Sequence, residues 1–139
     1  MAEVTKFKAR KIVPGKATGP SLVTKERLMF MAFADPKRGV FDSPRAPVEL
    51  QGKSFKGAVV IYRSGKASTG GSRGLDYCVR AGNSPAAIVN LEIDPVTVMG
   101  CSNEDIPMVQ VEDPSIFDQV KTGDIVTVDA DNGELLVSR

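Results

Sequence analysis

Apolar positions along this chain come in short β-branched runs punctuated by glycine and proline, with few helical stripes between them. The clearest run is Ala58-Val59-Val60-Ile61-Tyr62, bounded by Gly57 and Gly65 and too short for a helix, which predicts an interior strand. Ala86 to Leu91 and Met108 to Val111 read the same way. Between the first two runs, Leu75, Tyr77, Cys78 and Val79 give one apolar side to a helix predicted over Thr69 to Ala81, with Gly82-Asn83 as its stop. Asp94-Pro95 predicts a short helical turn, and Asp113-Pro114 a short helix ending near Lys121-Thr122-Gly123. Strands alternating with helical segments predict a β-α-β core with parallel pairing.

The first half is expected to be β structure. Phe7 to Val13 predicts one strand, Pro14-Gly15 a turn, and Gly19-Pro20 an interruption in a second extended stretch that continues through Leu22-Val23. Leu28 to Ala34 is almost wholly apolar, so its Met and Phe residues are expected in the core, and Asp35-Pro36-Lys37-Arg38-Gly39 closes it as a turn. Ser43 to Gly57 reads as a loop holding a short strand around Val48-Glu49-Leu50, without a domain boundary. Ile125 to Val128 and Glu134 to Val137 flank Asp131-Asn132-Gly133, a hairpin signature. The expectation is a single α/β domain of β/β/α type spanning residues 1–139.

Charge and composition narrow the function. The formal net charge is +1 with both signs dispersed, so there is no basic stripe and no nucleic-acid partner is expected. No apolar segment approaches the roughly 20 residues of a membrane span, and residues 1–10 lack a signal-peptide core, so the expected location is cytoplasmic and off the membrane. Cys78 and Cys101 stand apart from each other and from any Cys-x-x-Cys arrangement, which predicts buried free thiols and no metal site of the chain's own. The chain has no histidine, which excludes a Ser-His-Asp triad, a Cys-His pair, a phosphohistidine and His-ligated metals.

The stretch most suggestive of chemistry is Ser64-Gly65-Lys66-Ala67-Ser68-Thr69-Gly70-Gly71-Ser72, a small, hydroxyl-rich loop between a strand and a helix start. First-turn amides have no intrahelical partners and carry the positive end of the helix dipole, so an anion or a developing alkoxide is stabilised there. Ser68 or Thr69 can equally serve only as an N-cap. The loop is not a Walker A sequence, so ATP is not the expected ligand.

The ordered set of such segments resembles the small, swivelling subunit of the aconitase-X hydro-lyases over nearly the full length. Gly15-Lys16-Ala17-Thr18-Gly19 with Ser21-Leu22-Val23-Thr24 is similar to the family's opening segment, and Asp35-Pro36 with Gly39 to its Asp-Pro turn. Gly52-Lys53-Ser54 with Gly57, then Gly65-Lys66-Ala67-Ser68-Thr69, resemble its two glycine–serine motifs, and Ser84 to Val89 and Ile106 to Val109 two later strands. The resemblance implies a swivelling β/β/α domain of the aconitase type that docks on an aconitase-X large subunit carrying an iron–sulfur cluster, with a small hydroxy acid as substrate. It also implies that Ser68 is the catalytic base. Gly65, Lys66, Thr69, Gly70, Gly71 and Ser72 would then bind substrate, with Lys66 and the helix amides holding the serine as an alkoxide.

The chain departs from that family's pattern at Ala32-Phe33-Ala34, at Ala67, which adds a Cβ beside Ser68, and in the polar Cys101-Ser102-Asn103-Glu104-Asp105. The alternative function is therefore a non-catalytic swivelling or assembly domain. Met29, Met31 and Phe33 are candidates for a partner-facing surface. Gly123 to Asp129 resembles the final strand of mobile domains in phosphoenolpyruvate-using enzymes, a reading that fails for want of the histidine they phosphorylate.

Overall fold

The computed structural model describes residues 4–65 and 70–138. In chain order the elements are β1 (Val4–Lys8), β2 (Arg10–Val13), β3 (Lys16–Val23), α1 (Phe30–Phe33), β4 (Ala34–Asp35), β5 (Val40–Phe41), β6 (Val59–Tyr62), α2 (Gly70–Arg80), β7 (Ala87–Asn90), α3 (Pro95–Asn103), β8 (Met108–Gln110), α4 (Ile116–Gln119), β9 (Ile125–Asp129) and β10 (Glu134–Ser138). Eight strands form one sheet in the order β1-β10-β9-β3-β6-β7-β8-β2. Since β1 and β2 are separated by the single residue Ala9, the two ends of that order are contiguous in the chain and the sheet closes on itself.

The expected parallel core is present: β3, β6, β7 and β8 pair in parallel, with α2 crossing from β6 to β7 and α3 from β7 to β8. Every residue of β6 and of β7 is buried. Val60 and Tyr62 enter a core shared with the helices, and Val59 and Ile61 enter a second core with Val89, Val126, Val128 and Leu135 inside the closed sheet. That two-sided burial is why β6 reads as an unbroken apolar run, and each fully buried Val or Ile contributes roughly 1.5–3 kcal/mol.

Several expectations change. The strand expected over Phe7 to Val13 is two strands, because β1 pairs with β10 while β2 pairs with β8. Ala9 between them donates its amide to Gly133 O at 2.9 Å. Gly19-Pro20 does not interrupt β3. Its residues 16–20 pair with β9 and residues 21–23 with β6. A Cβ at Gly19 would collide with the Gly57 carbonyl, so glycine there permits a close backbone approach. The strand expected around Val48-Glu49-Leu50 is a set of turns, with Leu50 N donating to Pro47 O at 2.9 Å. The helical turn after Asp94-Pro95 extends to the nine residues of α3.

The apolar segment at 28–34 forms the four-residue helix α1 in what was expected to be β structure. Phe30 and Phe33 are buried, and Phe30 makes ring contacts with Phe41, Phe55 and Tyr62 at centroid distances of 5.4, 5.6 and 6.4 Å. Phe33 thus belongs to the core, Met29 is half-buried, and the Met31 side chain lies outside the description.

Candidate functional site at the end of the parallel strands

Parallel strands leave their carboxyl ends unpaired by crossover helices, and ligands of α/β folds collect there. Here that edge is stitched across β3 and β6. Thr24 N donates to Ile61 O at 3.0 Å, Arg63 N to Glu26 O at 3.2 Å, and Leu28 N to Ser64 O at 3.1 Å, ending in a parallel bridge between Leu28 and Gly65. The segment entering the serine loop is therefore fixed on one side by β-type hydrogen bonds.

On its other side Gly65 lies against the start of α3. Asp94 caps that helix, accepting from Val96 N at 3.4 Å and Thr97 N at 3.2 Å, with Thr97 Oγ1 donating to the same carboxylate at 2.8 Å. A Cβ on Gly65 would overlap both Thr97 Oγ1 and Asp94 Oδ2. Asp94 and Thr97 are both buried. Tyr62, 1% exposed, sits in the same cluster; burial first, and then Cys101, keep its phenol protonated well above the usual range. Asn90 donates Nδ2 to Tyr62 O at 3.3 Å and to Val89 O at 3.1 Å, while its Oδ1 has no hydrogen-bond partner among the described residues.

Of the residues the sequence singles out, Gly65 is buried at the loop entrance, and Gly70, Gly71 and Ser72 open α2. Lys66, Ser68 and Thr69 lie outside the described residues. The helix stands where the sequence expects it, with Leu75 and Cys78 buried beneath it and no acidic residue in its first turn to compete for an anion. Two neighbouring features are not evident in the sequence. One is the Asp94–Thr97 buttress, whose Asp-Pro pair signals a cap but not its contact with Gly65. The other is a basic cleft beside the loop base, described below.

The described donors do not fit an iron–sulfur cluster. They include no group of three His, Cys, Asp or Glu able to hold a metal. Cys78 on α2 and Cys101 on α3 are fully buried, and burial pushes their thiols up to about 11 and about 12, which disfavours the thiolate a metal requires.

A closed sheet with a parallel core and helices packed on it defines a β/β/α domain of the swivelling type. The chain belongs to the aconitase X swivel domain family, whose sequence profile matches residues 6–137. It is 38% identical over 128 residues to the phosphomevalonate dehydratase small subunit of Archaeoglobus fulgidus, covering 92% of this chain and 95% of that one. It is 40% identical over 124 residues to the subunit of that name from Methanothrix thermoacetophila, covering 89% and 88%. The crystal structure of Thermococcus kodakaraensis aconitase X in its holo-form superposes with a TM-score of 0.85 at 34% identity, covering 96% of this chain and 98% of that one.

Proposed function

We propose that this chain is the small subunit of an aconitase-X-type dehydratase, a single swivelling unit that supplies Ser68 as the base to a site shared with a large subunit. The observation that carries the reading is the near-full-length similarity to phosphomevalonate dehydratase small subunits. An iron–sulfur cluster is expected on the large subunit, since the donors of this chain do not suit one.

What this chain's residues would contribute is carried over from the family resemblance at the serine loop. Ser68, as an alkoxide, takes the proton from the carbon next to the one bearing the leaving hydroxyl. The carbon–oxygen bond then breaks, and proton and hydroxide together amount to one water lost. First-turn amides of α2, with Lys66 and Thr69, hold anionic oxygen, while Gly70 and Gly71 let the backbone approach substrate closely and Gly65, packed against Asp94 and Thr97, sets the loop entrance beside the substrate. Ser72 supports the loop from within the helix.

The test is dehydration of phosphomevalonate, hydroxyprolines and other hydroxy acids by the chain co-purified with its large subunit. Ser68→Ala in the active complex should lower turnover by about a hundredfold or more, and Ser72→Ala much less. Melting is measured alongside, since loss of a cap costs about 1 kcal/mol. Near-normal turnover in a folded Ser68→Ala complex would remove the base assignment and leave the non-catalytic assembly domain as the better reading.

A further inference from the structure

A concave cleft of about 320 Å³ opens beside the loop base, with Phe33 in its wall and Lys25, Arg27, Arg45 and Arg63 around it. The four cations come from three separate places: the segment after β3, the turns after β5, and the residue after β6. Among the described residues, Glu26 is the only acidic one in the lining. Glu92 stands between two of the cations, accepting from Arg63 Nε at 2.8 Å and from Arg27 Nη2 at 3.4 Å. These guanidiniums hold the Glu92 carboxyl below its ordinary range, so it stays ionised and keeps both arginines in place. Lys25 and Arg45 have no ion pair among the described residues.

The cleft therefore has positive charge left over after its internal pairing, and guanidinium donors not used by Glu92. Its backbone is held by the same hydrogen bonds that fix the loop entrance, Arg63 N to Glu26 O and Leu28 N to Ser64 O. Its volume lies at the small end of the range for small-molecule sites, and arginine forks match the geometry of phosphate and carboxylate oxygens. We infer that this cleft is an oxyanion subsite, in which Lys25, Arg27, Arg45 and Arg63 receive the phosphate or carboxylate group of the substrate whose reacting carbons lie at the serine loop. The inference rests on the dehydratase reading for the identity of the ligand, but not for the existence of the site.

Two measurements test it. In the first, inorganic phosphate is titrated into the full chain and followed by NMR. Saturable shifts are expected in the amides of residues 25–27, 45 and 63, and their loss in a Lys25→Ala/Arg45→Ala double variant. No saturable change at those amides, or the same change in the double variant, overturns the subsite.

In the second, the complex with its large subunit is assayed with a phosphorylated hydroxy acid and its unphosphorylated counterpart. The double variant should raise KM by about tenfold or more with kcat nearly kept, as expected for loss of charged contacts made equally in ground and transition states. A rise confined to the phosphorylated substrate assigns the cleft to phosphate, and an equal rise for both assigns it to carboxylate. Unchanged KM for both overturns the inference, as does loss of complex formation by a folded variant, which would make the cleft a docking surface for an acidic protein face. A wild-type complex that dehydrates nothing counts against the proposed function, and the phosphate titration then decides the cleft alone.

Discussion

Gly65 is the residue on which loop, sheet and helix meet. It is buried, bridged to Leu28, and pressed against the Asp94–Thr97 pair so closely that no side chain fits. Gly65→Ala should cost about 1–3 kcal/mol by overpacking and, because it displaces the entrance to the serine loop, lower turnover of the assembled enzyme. Adding Thr97→Ala removes one of the two colliding oxygens and should restore part of the loss, measurable as a coupling in denaturant melts. Strict additivity of the two substitutions would mean that Gly65 is not held by this contact. The sequence marks Gly65 as a bend between strand and helix. Its dependence on a cap 29 positions away was not legible, since that contact arises only when β6 and β7 pair side by side.

At the scale of elements, legibility followed burial. β6 and β7 were readable because both faces are covered, and the β9–β10 hairpin because Asn-Gly sits between its strands. The failures lie where partners differ along one segment. Phe7 to Val13 has one apolar pattern but two pairing partners, and Val48-Glu49-Leu50 alternates like a strand while Pro47 starts a turn that exposes Val48 and buries Leu50. The basic cleft was hidden for the same reason, its cations being scattered in sequence. The hairpin also carries a pH prediction. Asn132 hydrogen bonds, at 2.8 Å from Nδ2 and 3.2 Å from the backbone, hold the Asp129 carboxyl below its usual range, with Lys16 3.9 Å away. A lowered native pKa contributes stability above the ordinary carboxylate range that disappears as pH falls through the native value. Asp129→Ala should therefore destabilise the protein at pH 7, with the difference from wild type shrinking towards pH 2–3 in urea melts. A difference independent of pH would assign the loss to packing.

At the scale of the whole molecule, the closed sheet gives the chain its own core, while the proposed function gives it only part of an active site. Two cores lie on either side of β6, and the Gly65 bridge and the basic cleft both lie at the carboxyl ends of β3 and β6. A cleft at the strand ends suits the proposed role of a domain that closes over a large subunit. The donor chemistry points the same way: the chain has no histidine, and its two cysteines are buried on different helices with raised thiol pKa values. The purified chain alone should therefore retain no stoichiometric iron and dehydrate none of the hydroxy acids, whereas mixing it with the large subunit should produce turnover that saturates at a fixed ratio of the two. Metal analysis and a titration of one subunit into the other measure this directly. One iron per chain in the isolated protein would show that it holds the metal without a partner, and turnover by the chain alone would show that its rim is a complete active site.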